Sequence, residues 1–198
     1  MCLINKLVDK SIEAFITAIE IYNKPTIHYR VEGFSFFICN AWELMLKGYL
    51  IKKHGNDSIY YKNNPDRTFS LSNCIELVFT NNKDPLRKNL ERIVDLRNIS
   101  THFITEEYEQ IYIPLFQSCV LNYINKMLEF FGKDVTETIP SNFLTLSIKL
   151  SDIVPEEIQA RYPKQIASKL LNVQRAIASS IPENGNQKYA VVIKHDYY

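Results

Sequence analysis

The hydrophobic positions of this chain recur mostly at helical spacing. In 3–22, Leu3, Leu7, Ile12, Phe15, Ile16 and Ile19 mark an amphipathic helix that Lys24-Pro25 ends. In 31–54, Phe34, Phe36, Phe37, Ile38, Ala41, Trp42, Leu44, Met45, Leu46, Tyr49 and Leu50 leave few polar gaps. A helix apolar on most sides is central to its fold, and Gly55 sits where a helix C-terminus favours glycine. In 86–104, Leu86, Leu90, Ile93, Leu96, Phe103 and Ile104 gather on one side at about 100° per residue. Asp84 caps this helix and Pro85 opens it. A short helix is expected over 70–79 and a loop over 56–70.

Thr105, Glu106 and Glu107 start another helix that ends at Phe131-Gly132. Its apolar side is Ile111, Leu115, Cys119, Leu121, Ile124, Leu128 and Phe131, and Pro114 predicts a kink or a restart. From Val135 the character changes. Residues 142–150 alternate like a strand, Pro155 and Pro163 bracket a helical turn, 164–180 is an amphipathic helix, and 189–194 is a second strand. The expected fold is mainly α: an antiparallel helical bundle over 1–134 with a small α/β appendage over 135–198. That β-α-β module stops directly after a strand and is read as the start of a longer C-terminal region.

Composition narrows the function classes. Hydrophobic residues are 46% and charged residues 23%, an ordinary globular profile. The five glycines form neither a Rossmann nor a P-loop pattern, so a phosphate-cradling cofactor site is not expected. A net charge of +1 excludes a general polyanion binder. Cys2, Cys39, Cys74 and Cys119 form no Cys-x-x-Cys pair, so reduced cytosolic thiols are expected and a metal site is not. Lys6, Asp9 and Lys10 rule out a signal peptide, and no uncharged run nears the ~18 residues of a membrane span.

Candidate chemistry lies in Arg97-Asn98-Ile99-Ser100-Thr101-His102. Glu91, Asp95, Asn98 and His102 form a polar stripe opposite the core side, so Asn98 and His102 are neighbours. Arg97 falls on the flank of the apolar side, where a guanidinium needs an acidic or phosphate partner or a cleft to reach into. Histidine suits acid–base work near pH 7, and the arginine fork suits a phosphate. With 7 Arg, 17 Asn and 4 His, chance gives this string about 0.01 times. On one ideal helix Arg97 and His102 point about 140° apart, so they converge by wrapping, by a helix break, or through a second copy of the chain.

Two further groups are candidates. Glu43 lies four residues before Lys47, so it either pairs with Lys47 or lines a cleft with Arg97. Lys47, Lys52, Lys53, Tyr60, Tyr61 and Arg67 interleave cations with tyrosines, as in a solvated loop or a surface for single-stranded RNA.

The Arg97-Asn98-x-x-x-His102 string, set among long helices, resembles the HEPN (higher eukaryote and prokaryote nucleotide-binding) superfamily. The stretches NAWELMLKGYLIKKHG (40–55), DPLRKNLERIVDLRNISTHFITEEYEQIYIPLF (84–116) and IPSNFLTLSI (139–148) resemble an uncharacterised bacterial HEPN-like family often linked to phage-defence loci. The resemblance covers about residues 30–150. It implies a HEPN-like bundle and a metal-independent, cofactor-free endoribonuclease acting as a cytoplasmic homodimer. It also implies abortive infection or a toxin–antitoxin pair, with an antitoxin or defence-system partner. By position, Arg97 and His102 match the family's catalytic pair, Asn98 the polar residue after the arginine, and Glu43 an acidic position on an earlier helix. The alternative is a non-catalytic dimerisation or nucleotide-sensing module; a third reading is a helical scaffold whose polar stripe only faces solvent.

Overall fold

The structure is a computed structural model that describes residues 2–99, 106–139, 155–180 and 188–189. Among these it is mainly helical. The helices are α1 (Leu3–Asn23), α2 (Arg30–His54), α3 (Leu71–Val78), α4 (Pro85–Ile99), α5 (Glu106–Phe131), α6 (Pro155–Arg161) and α7 (Lys164–Ser180).

α2 is the axis of the molecule. Phe34, Ile38, Ala41, Trp42, Met45 and Leu46 are all fully buried, as expected for a helix apolar around most of its circumference. α1 runs antiparallel to it. Ser11 Oγ donates to the Ala41 carbonyl at 2.7 Å, a Cβ on Gly48 would lie 3.7 Å from Val8, and one on Gly33 would lie 2.8 Å from Ile21 Cγ2. Glycine at 33 therefore lets the start of α2 close onto the end of α1. On its other side α2 meets α5 in parallel: Arg30 pairs with Glu109, Trp42 Nε1 donates to Cys119 Sγ at 3.2 Å, and Lys52 donates to the Phe130 carbonyl at 2.7 Å. Phe15 and Tyr123 stack at 4.1 Å across α1 and α5.

The element boundaries follow local chemistry. Ser70 caps α3 by accepting from the Asn73 N–H, and Asp84 Oδ1 accepts from the Leu86 N–H at 2.9 Å just before Pro85 opens α4. Gly55 and Gly132, at φ 88° and 67°, close α2 and α5 with N–H bonds to the Ile51 and Leu128 carbonyls.

Three expectations are corrected. Residues 56–70 are not a plain loop: a 3-10 turn over Asn56–Ile59 leads into β1 (Tyr60–Tyr61) and β2 (Asn64–Thr68), an antiparallel ribbon pairing Tyr60 with Thr68 and Tyr61 with Asn64. Its second strand, NPDRT, is almost wholly exposed and has no apolar alternation to reveal it. α5 neither stops nor restarts at Pro114, because buried Ile113, Leu115 and Phe116 hold the helix on both sides of the missing N–H. Ile111, Leu115 and Cys119 of the expected face of α5 are buried, together with Tyr112, Ile113, Phe116, Val120, Tyr123, Met127 and Phe130, whereas Leu121 and Leu128 are exposed.

The expected strand over 142–150 lies outside the described residues. So does the expected strand over 189–194 apart from Tyr189, which is in a turn. Asn89 on α4 donates to the Leu115 and Tyr189 carbonyls, and Asn122 on α5 donates to the Lys188 carbonyl, so two buried asparagines hold that turn. Ile158, Ala167, Leu170, Leu171 and Ile177 of α6 and α7 join the same apolar cluster as the bundle. No helix among the described residues is long and apolar enough to cross a membrane.

Candidate functional site

α4 delivers Arg97 to one end of the bundle. Leu86, Leu90, Ile93 and Leu96 are buried as the periodicity requires, and Asp95 and Asn98 face solvent. Arg97 lies between these sides, in the last turn of α4, where a cation also complements the helix dipole. Its Nε and Nη2 donate to Asn98 Oδ1 at 3.4 and 3.3 Å, so one Asn98 oxygen accepts from two nitrogens along one edge of the guanidinium fork. His102 lies outside the described residues, three positions beyond the end of α4 in the sequence.

Arg97 does reach into a cleft. It lines a cavity of about 370 Å³ with Glu32, Gly33, Phe36 and Phe37 of α2, Tyr29 just before α2, and Ile21 and Ile27. The walls are largely apolar, and Arg97 and Glu32 are its charged groups. Phe36 and Tyr29 are 59% and 61% exposed, and the Phe36 and Phe37 rings meet edge to face at 5.3 Å. Glu32 Oε2 is buried with no hydrogen-bond partner among the described residues. Burial raises the Glu32 carboxyl above the usual range, and Glu109 adds to that.

A second polar layer lies beside the cavity. Arg30 grips Glu109, with Nη2 to Oε1 at 2.7 Å and Nε to Oε2 at 3.3 Å, and stands 5.3 Å from the centre of the Tyr22 ring. The buried Tyr22 phenol is held far above its ordinary value by burial and by Glu109. The ends of α1, α2, α4 and α5 thus converge on one charged, aromatic corner.

Glu43 is committed elsewhere. Lys47 Nζ lies 2.6 Å from Glu43 Oε1, the internal pair that the i,i+4 spacing offers. Glu43 is nevertheless within electrostatic reach of this end: Cys39, one turn earlier, feels both Arg97 and Glu43, while burial raises its thiol to about 12.

The candidate RNA-contacting residues gather at the opposite end of α2, about 24 Å from Phe36 to Lys52 at helical rise. Lys47 is buried in its ion pair, and Lys52 is bonded to the end of α5. Lys53 lies over Tyr49, Tyr61 donates to Asn73 Oδ1 at 2.6 Å, Arg67 lies over Tyr61, and Tyr60 is half-buried in β1. The structure therefore does not bring this group together with Arg97. Sequence reasoning missed Tyr29, Glu32 and Phe36, although their i, i+3, i+7 spacing marks one face and Phe34, Phe36 and Phe37 cannot all point into one core.

A family model described as a domain of unknown function, DUF3644, matches residues 6–181, from α1 through α7. The chain belongs to the DUF3644 family. In this DUF3644 protein the match includes every element that builds the Arg97 corner. No curated protein matches the chain, and no solved structure does.

Proposed function

We propose that this protein is a metal-independent endoribonuclease with a HEPN-like fold, working in the cytoplasm as a homodimer in bacterial antiphage defence or a toxin–antitoxin pair. The observation that carries the reading is the Arg97–Asn98 unit: a guanidinium held by its neighbour at the mouth of a cavity, five residues before His102 in the sequence.

The chemistry needs no cofactor. A base removes the proton of the RNA 2′-hydroxyl, and the 2′-oxygen attacks phosphorus. The P–O5′ bond breaks, and an acid protonates the departing 5′-oxygen. The products are a 2′,3′-cyclic phosphate and a 5′-hydroxyl. His102 supplies the acid–base function, the side chain whose ordinary titration range suits proton transfer near neutral pH. Arg97 binds the phosphate and stabilises its growing charge, and Asn98 sets the angle of the fork. Glu43 supports from one layer behind. The about 140° between Arg97 and His102 on one helix favours a cleft completed by a second copy.

The test is incubation of the purified protein with total RNA and tRNA in EDTA, beside Arg97→Ala and His102→Ala. Cleavage by wild type alone, leaving 2′,3′-cyclic ends, is expected, with Arg97→Ala slowed about 10²–10³-fold. Inactivity of all three, or equal cleavage by all three, overturns the reading and favours a non-catalytic sensing or dimerisation module.

A further inference from the structure

A second cavity is lined by none of the residues of the Arg97 corner. α4 and α7 each pack against α5, and between them opens a groove of about 460 Å³. Arg92 lines it from α4 and Lys169 from α7, with Gln165, Ser168 and Asn172 beside Lys169. The spacing of α7 explains this face: Gln165, Ser168, Lys169 and Asn172 recur at i, i+3, i+4 and i+7, while Ala167, Leu170, Leu171 and Ile177 are buried. Among the described residues no acidic side chain lines the groove, in a chain whose net charge is only +1. Its cations are also held loosely. Arg30, Lys47 and Arg87 are each closed on a carboxylate within 2.8 Å. Arg92 has Asp95 Oδ2 at 4.0 Å, with the two side chains 41% and 60% exposed, and such surface pairs contribute little. Lys169 is exposed, and so is Lys88, one turn before Arg92 on the same side of α4.

We propose that this groove binds the phosphodiester backbone of the RNA substrate away from the cut, with Arg92 and Lys169 each meeting a phosphate and Gln165, Ser168 and Asn172 donating to phosphate and sugar oxygens. All five side chains are donors, and they are the residue types that hold a nucleic-acid backbone. Arg92 precedes Arg97 by five residues, about 7.5 Å along α4 and about 140° around it, so the two arginines serve different phosphates. A protein partner would ask for something else. Protein interfaces are anchored by large apolar or aromatic side chains at their centre, whereas the apolar residues here are Val173 and Ala176. Backbone contacts carry no base information, so the groove adds affinity without sequence preference. This inference rests on the ribonuclease reading in taking RNA as the source of the phosphates.

The experiment has two arms, and the whole chain is used in both. In the first, a labelled 2′-O-methyl oligouridylate of about 12 nucleotides, which has no 2′-hydroxyl to attack, is titrated across a range of salt. The proteins are wild type, Arg92→Gln, Lys169→Gln, the double variant, and Lys10→Gln as a control for lost charge on exposed α1 surface. Each groove variant is expected to flatten the dependence of log Kd on log salt by about 0.7, and the double variant by about 1.4. The double variant is expected to bind about tenfold more weakly at low salt, by the same factor for oligoadenylate. Lys10→Gln is expected to match wild type. A double variant that binds like wild type, or a Lys10→Gln effect as large as that of either groove variant, overturns the groove. UMP bound as tightly as the oligonucleotide makes it a free-nucleotide pocket, and polyglutamate competing as well as RNA makes it a surface for an acidic protein; either result overturns the proposal. In the second arm, tRNA cleavage by the double variant is expected to show KM raised about tenfold with kcat kept. Cleavage with KM unchanged overturns the groove and leaves the ribonuclease reading standing. RNA binding that depends on Arg92 and Lys169, in a protein that cuts no RNA, keeps the groove and overturns the ribonuclease reading. Both side chains lie at the surface, so the substitutions are safe for folding.

Discussion

Lys47 Nζ sits 2.6 Å from Glu43 Oε1 and 2.9 Å from Thr68 Oγ1, so one lysine ties the middle of α2 to the ribbon that follows it. The lysine side chain is 9% exposed and the glutamate 27%. A buried charge that loses its partner is costlier than one that can turn to water. Glu43→Ala strands Lys47 and should cost about 2–3 kcal/mol, below the full penalty because the pair is only partly buried. Lys47→Met with Glu43→Leu should come within about 1 kcal/mol of wild type, since a well-packed apolar pair replaces an ion pair at little loss. Urea denaturation of the single and double variants measures both.

The pairing of Arg97 with Asn98 makes a prediction about rate. If Asn98 sets the guanidinium angle, Asn98→Ala loses positioning but keeps the cation, and kcat/KM should fall about tenfold, less than for Arg97→Ala. Asn98→Asp is the sharper variant. Its carboxylate would grip the same two nitrogens more strongly and neutralise the charge that RNA should meet, so its loss should exceed that of Asn98→Ala. A merely solvent-facing Asn98 would make the two variants alike.

How much of this was legible beforehand depends on the kind of signal. α4 could be read from its ends, where Asp84 and Pro85 open it, and from Leu86, Leu90, Ile93 and Leu96, because capping and 3.6-residue periodicity are local. The half-buried flank position of Arg97 also followed from the helical wheel. What Arg97 faces did not, since Glu32 and Phe36 come from a helix some sixty residues earlier and nothing local announces that meeting. In α2 the apolar residues surround so much of the helix that Phe36 could not be separated from Phe34 by pattern. In α5, Leu121 and Leu128 sit seven residues apart like a core stripe, yet larger aromatic side chains one face over, Tyr112, Phe116 and Tyr123, take the interior. The β1–β2 ribbon is held by backbone pairing of polar residues, which leaves no hydrophobic trace.

Glu32 links stability to pH. Its carboxyl titrates above the usual range because burial, and then Glu109, disfavour the charge, while Arg30 and Tyr22 nearby are engaged with Glu109 and Arg97 shares the cavity. A raised acid pKa means that the folded state holds the proton more tightly than the unfolded chain does. Its stabilising effect is complete below the ordinary carboxyl range and is lost as the pH climbs through the folded value. Glu32→Gln removes a carboxylate that is disfavoured at neutral pH, so its melting temperature should exceed that of wild type at about pH 7. The gap should close towards about pH 4, where both side chains are neutral. Thermal melts across that range test it.

The cysteines provide a probe of the same end of the molecule. All four thiols are free; Cys2 is exposed, and Cys39, Cys74 and Cys119 are buried. Burial raises Cys39 and Cys74 to about 12 and Cys119 higher still, so at about pH 8 only a very small fraction of each is the reactive thiolate. A disulfide dye should therefore label one thiol per chain rapidly in the native protein and four in denaturant. The slow native labelling of Cys39 should then report opening of the packed face between α2 and α4, because its thiol is sealed until those helices part. A ligand bound beside Arg97, against α2 and α4 together, should slow labelling of Cys39 in Cys2→Ser protein and leave Cys74, on α3, nearly unchanged. Equal slowing at both cysteines would instead mean that the ligand stabilises the whole fold from another place.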